Sequence, residues 1–131
     1  LDTYAQDIIA SGIIKTILDL FFAYPHNFFL HETVSKTMIM NILKCKNDAL
    51  FTRLLVDCDL LTLIMDNFQP ISKQRSKDPL SFVSYNGHLV FLANTIKDGN
   101  YLNRANVKSK LPMSRWNSFV SGELRTINSV M

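Results

Sequence analysis

Apolar side chains recur along this chain at steps of three and four and hardly at all at steps of two, which predicts helices and no convincing strand. Ile13, Ile14, Ile17, Leu18, Phe21 and Phe22 share one face of a helix over 13–24. Pro25 ends it, because proline disfavours the helical basin for Tyr24 and has no N–H to give. Asn27 then fits as the N-cap of a helix from Phe28 to Lys44, with Glu32 early in it and Leu30, Val34, Met38, Ile42 and Leu43 turned inward. Asn47 and Asp48 can cap a further helix carrying Leu50, Phe51, Leu54, Leu55 and Cys58. Asp59 can cap a short one with Leu61, Ile64, Met65 and Phe68. Gly12 separates the first of these from a short leading helix over 3–10, in which Tyr4, Ile8 and Ile9 face inward.

The pattern breaks over 69–86, where prolines, serines and the cations Lys73, Arg75 and Lys77 predict a mobile basic loop. Helical spacing resumes at Leu89, Leu92, Ala93 and Ile96, and Gly99 stands where a C-terminal glycine belongs. Leu102, Ala105 and Val107 make a short helix, and Pro112 with Ser114 opens the last one, whose stripe is Trp116, Phe119, Val120, Leu124 and Ile127. Eight short helices with short connections predict a single all-α domain over residues 1–131, built as stacked antiparallel helices of the armadillo or HEAT solenoid kind. An irregular helical domain is the alternative, since no tetratricopeptide or ankyrin signature is legible.

Composition narrows the class. With 131 residues and 47% apolar content the chain can bury one sizeable core without disulfides or metal. Its longest apolar runs fall far short of the ~20 residues a membrane span needs, so a soluble protein with no membrane partner is expected. The chain starts at Leu1 in a helical pattern with no leader, and reads as a fragment of a longer protein. Cys45 and Cys58 both lie in helical segments and read as core thiols in a reducing compartment. Charge is uneven: residues 1–68 hold five basic and eight acidic side chains, whereas residues 69–115 hold eight and two. The electropositive stretch calls for an anionic partner without choosing one.

Searching for catalysis finds little. There is no G-x-S-x-G elbow, no Walker loop and no G-x-G-x-x-G, and four scattered glycines cannot build a phosphate cradle. His26 and His31 with Cys45 and Cys58 lack the close cysteine pair that anchors a structural zinc, so no metal and no cofactor is expected. Asp57 and Asp66 read as solvated. Lys73, Arg75, Lys77, Arg104, Lys108, Lys110 and Arg115 are the argument for nucleic acid, but base stacking needs exposed aromatics beside the cations, and only Tyr85 and Tyr101 are candidates.

At Leu20 to His31 the run LFFAYPHNFFLH resembles the L-F-F-x-Y-x-x-N-N-F-L-H signature of the SAPS-domain proteins, regulatory subunits of protein phosphatase 6. Gly87-His88-Leu89 with Ala93-Asn94 is similar to that family's G-H-L-x-x-I-A-N segment. Leu111-Pro112, Arg115-Trp116 and Ser118-Phe119-Val120 are similar to its L-P-x-x-x-R-W-x-x-F-V segment. The three blocks come in order and span about Gly12 to Glu123; Phe28 replaces the signature's second asparagine and Leu92 its isoleucine.

The resemblance implies a non-catalytic module that binds a Ser/Thr phosphatase catalytic subunit of the type 6 class and directs it to substrates. The implied setting is the cytoplasm, with the nucleus possible, and the metal and the chemistry belong to the partner. A helical nucleic-acid binder using residues 69–115 is the alternative. Phe21, Leu30, Trp116 and Phe119 are expected in the core. Candidates for partner contact are the polar members of the blocks, Asn27, His31, His88, Asn94 and Arg115. Each has a structural alternative: Asn27 as a cap, the two histidines bonded at helix starts, Asn94 on a backbone carbonyl between helices, Arg115 on an acidic side chain.

Overall fold

The computed structural model of the chain describes residues 2–68, 85–99, 101–104 and 107–129, with side chains from residue 7 onward. Among the described residues there are seven helical rods, two 3-10 turns and no strand. The rods are α1 (Asp2–Ser11), α2 (Ile13–Ala23), α3 (28–44), α4 (48–57), α5 (Leu60–Asn67), α6 (Asn86–Asp98) and α7 (113–128), and the turns Tyr101–Asn103 and Val107–Lys110 lie between α6 and α7. The all-helical class expected from periodicity is the class observed. Tyr4's side chain, most of the 69–86 segment with Lys73, Arg75 and Lys77, and Ala105 lie outside the described residues.

Each junction has a local cause. Gly12 adopts φ 70°, the left-handed conformation glycine takes without penalty, and this lets α1 stop and α2 start one residue later. The Asn27 and Asn47 side chains accept from the N–H groups of Leu30 and Leu50, both at 3.0 Å, satisfying orphan donors of α3 and α4. Asp59 does not cap as expected. It stands before α5 with φ 52° and its side chain makes no capping bond, so its part is to turn the chain in a conformation that Asp tolerates better than most residues. Gly99 follows α6 with φ −91°, not the left-handed value expected of a terminal glycine. What needs glycine there is space: a Cβ would collide with the Tyr101 ring and lie 2.9 Å from the Thr95 carbonyl oxygen.

Three rods contain a π-helical stretch: Val34–Ile39 in α3, Arg53–Asp57 in α4 and Val120–Leu124 in α7. In each the inward row advances by fours: His31, Ser35, Ile39 and Leu43; Leu50 and Leu54 beside Phe51 and Leu55; Trp116, Val120 and Leu124. A row of fours drifts round a rod of 3.6 residues per turn. The wider π turns take up that drift and keep the row facing one way.

One continuous core runs from Ile14 in α2 to Ile127 in α7. Consecutive rods pack on one another from α1 to α7, and α1 also meets α4 and α5 also meets α7. The inward faces largely match expectation, with two exceptions. Ile13 is half exposed, and the deepest row of α3 is the one holding His31 and Ser35, while Leu30 is only partly buried. Leu61→Ala, at a fully buried position, is expected to cost about 2–5 kcal/mol, and Phe29→Ala, on the surface, to stay within about 0.5 kcal/mol. Urea unfolding midpoints of the two variants check the contrast.

Candidate functional site

Pro25 creates the problem that the site solves. In a helix that ran on, the Phe21 carbonyl would accept from the N–H of residue 25, and proline has none. The bond comes from across the corner, where the His31 imidazole Nε2 lies 2.9 Å from the Phe21 carbonyl oxygen. A carbonyl can only accept, so Nε2 carries the proton and Nδ1 the lone pair. His31 is 0% exposed, so it cannot be touched by a partner as expected from its polarity. Its ring lies 4.5 Å from that of Phe21 and 5.3 Å from that of Tyr85, centroid to centroid. Ser35 is buried beside it and donates to the His31 carbonyl at 2.6 Å.

The N-terminus of α6 closes the corner. Tyr85, assigned by sequence to the basic loop and singled out as an aromatic that could stack on bases, is buried between Phe21, Phe22 and His31. Asn86, also assigned to the loop, is the first residue of α6. His88 is 7% exposed, its ring 5.9 Å from His31 and 5.3 Å from Phe28. Its Nε2 lies 3.3 Å from Glu32 Oε2, while the other Glu32 oxygen takes Lys36 at 2.7 Å. Lys36 also stands 5.5 Å over the Phe91 ring of α6. Two of the sequence blocks, LFFAYPHNFFLH and Gly87-His88-Leu89, thus meet at one place although 56 positions separate Glu32 from His88.

The remaining candidates hold helices together. Asn94 and Asn128 exchange amide hydrogen bonds at 3.0 and 2.8 Å, tying α6 to α7 through side chains on both sides. Arg115 pairs with Asp66, tying α7 to α5 in a half-exposed geometry worth up to about 1 kcal/mol. Asn27 is exposed and caps α3. What polarity-based reasoning missed is the apolar surface around it: Leu20 and Tyr24 are exposed, Phe28 is 61% exposed and Phe29 81%. Phe29 was findable, because its stripe on α3 otherwise holds the exposed Thr33, Lys36 and Thr37.

Where α1, α2 and α4 meet, the charged groups neutralise one another locally. A cavity of about 360 Å³ between α1, α2 and α4 carries Lys15, Asp19, Arg53, Asp57 and Cys58, with Lys15 on Asp19 at 3.3 Å and Arg53 on Asp57 at 3.5 Å. Burial pushes the Cys58 thiol above its ordinary value, which makes it a poor nucleophile. Among the described residues no group of three or more His, Cys, Asp or Glu is placed to hold a metal ion, and no helix is long and apolar enough to cross a membrane.

These features define an all-helical protein whose interior histidines brace a corner and whose exposed chemistry there is apolar. The family model of SIT4 phosphatase-associated proteins, SAPS, matches residues 2–131. The chain belongs to the SAPS family. Neither the curated proteins nor the solved structures contain a significant match.

Burial holds the His31 pKa below its usual 6.5; the Phe21 carbonyl opposes this and the nearby His88 adds to it. The unfolded chain therefore takes up this proton first. Stability from the neutral ring is complete above about that value and is lost as pH falls through it toward the lower folded value. His31→Gln keeps a donor for the Phe21 carbonyl and cannot titrate. Its urea midpoint is expected to fall less than that of the unsubstituted chain between about pH 7 and pH 5. Parallel pH profiles for the two proteins would contradict this account of the corner.

Proposed function

We propose that this chain is a non-catalytic regulatory and scaffolding module that binds the catalytic subunit of a Ser/Thr phosphatase of the type 6 class and directs it to substrates. The observation that carries the reading is the family match across residues 2–131, since that family is described as phosphatase-associated. The partner supplies metal and chemistry, and this chain supplies a shaped surface. Such a module works where its partner does, in the cytoplasm, and its free Cys45 and Cys58 suit a reducing compartment.

The surface assigned to the partner is the apolar face of the corner, Leu20, Tyr24, Phe28 and Phe29, with Asn27 among them. Large exposed aromatics are the residues that anchor interfaces when they enter a partner's pocket. Burying two phenylalanines that now face water also contributes apolar transfer energy that no rim charge matches. His31 serves this surface from beneath by fixing the angle between α2 and α3, and His88 by holding α6 against Glu32 of α3. Asn94 and Arg115 are accessible but already engaged within the chain, so they support the scaffold's stiffness rather than the contact.

Co-purification of the full-length protein with a type 6 catalytic subunit tests the reading, and a clean failure to co-purify sinks it. Phe28→Ser with Phe29→Ser is expected to weaken retention by about thirtyfold, the scale of an interface hot spot, with an unfolding midpoint lowered far less than by Leu61→Ala. Full retention by that variant would move the contact to another face.

A further inference from the structure

At the other end of α6 from the aromatic corner, the two 3-10 turns lead into the start of α7 and leave a pocket of about 190 Å³ against it. Its floor includes Leu102 and Trp116, both buried, and its rim carries Lys97, Asn103, Lys108 and Asn117, all exposed. Lys97 leans on its neighbour Asp98 at 2.8 Å, but Lys108 has no ion pair among the described residues, and neither has Lys110 two residues on. The chain continues this positive character onto the adjoining end of α3. There Arg104 donates to the Leu43 carbonyl at 3.3 Å and to Asp48 at 2.8 Å, and the exposed Lys44 and Lys46 flank that contact with no ion pair among the described residues.

The rim is net positive, because Asp98 answers Lys97 while Lys108 and Lys110 have no ion pair among the described residues, and this charge beside Leu102 and Trp116 selects the occupant. We infer that this pocket docks an acidic peptide segment of a partner protein, with one apolar side chain entering between Leu102 and Trp116 and carboxylates meeting Lys97 and Lys108. The rim amides of Asn103 and Asn117 can donate to the peptide's carbonyls and accept from its N–H groups. A nucleic-acid strand fits less well. Stacking needs an exposed aromatic beside the cations, whereas Tyr85 is buried at the other end of α6, Tyr101 is partly buried against Gly99, and Trp116 is buried beside Phe119 with no ring face open for a base. The inference rests on charge and shape at this pocket and is independent of the phosphatase reading.

Trp116 is the single tryptophan of the chain, so the pocket carries its own reporter. The probe is a dye-labelled peptide of Asp and Glu around one central Leu, titrated by anisotropy while tryptophan emission is followed. Three comparison probes are the same peptide with Leu replaced by Ser, the same with acids replaced by amides, and an oligo-dT strand of equal length. The acidic peptide is expected to bind, to shift Trp116 emission, and to weaken as salt rises from about 0.05 M to 0.3 M. Lys97→Glu with Lys108→Glu is expected to weaken it by at least about tenfold, and Lys15→Glu, on the exposed side of α2, to leave it unchanged. Any of four results overturns the proposal: no binding; binding indifferent to the paired lysine reversal; equal binding of the Ser-substituted peptide with silent tryptophan; or oligo-dT bound more tightly than the peptide.

Discussion

The corner between α2 and α3 depends on one hydrogen bond that the backbone could not make for itself. Pro25 removes the donor that the Phe21 carbonyl would otherwise use, and a buried carbonyl without a donor costs about 1–3 kcal/mol. His31 supplies the donor from the first turn of the next helix, so the same residue that satisfies the end of α2 also sets the direction of α3. Once the ring is fixed there it becomes a surface for packing. Tyr85 stands edge-on to it and Phe21 tilts over it, and through Tyr85 the start of α6 is drawn to the corner. The order of causation runs from a missing N–H, to a histidine, to the position of a helix more than fifty residues away.

This arrangement separates roles that look alike in the sequence. Within LFFAYPHNFFLH, Phe21 and His31 are interior, whereas Phe28 and Phe29 face water, although all four are large side chains in one short run. The interior members give stiffness and the exterior members are free to touch a neighbour. The other end of α6 is organised by different forces, with Lys97 of α6 and Lys108 of a 3-10 turn standing beside Leu102 and Trp116. A scaffold with an apolar face at one end and a cationic face at the other offers two kinds of contact to two kinds of protein surface.

Most of the fold was legible because helical periodicity, Gly12, Pro25, Asn27 and Asn47 act locally and leave signatures in adjacent residues. Where the reading missed, distant partners decide. His31 and Ser35 look like surface residues by polarity, yet the His31 Nε2–H donates to the Phe21 carbonyl of α2 and the Ser35 hydroxyl to the His31 carbonyl of α3, and so both can occupy the deepest row of α3. Tyr85 sits next to a polar, proline-containing segment, and only the presence of Phe21, Phe22 and His31 opposite buries it. Gly99 carried the signal of a helix end, and there the deciding neighbour is local: the Tyr101 ring two residues on, rather than a left-handed turn, leaves no space for a Cβ. The polar candidates followed the same logic. Asn94 and Arg115 found partners on α7 and α5, leaving exposed phenylalanines to form the corner's accessible surface.

The π stretches bear on how such a chain tolerates change in length. Each accommodates a row of fours by widening a rod's turns, so each is a place where a residue is carried that an ideal helix would not need. Loss of one residue from Val34–Ile39 would let α3 tighten to regular geometry, and Ile42 and Leu43 would keep their facing against the core. The same loss from a regular turn of a rod would rotate everything beyond it by about 100°. Deletions of a single residue should therefore be absorbed within these widened turns more readily than in the regular turns of the rods that contain them.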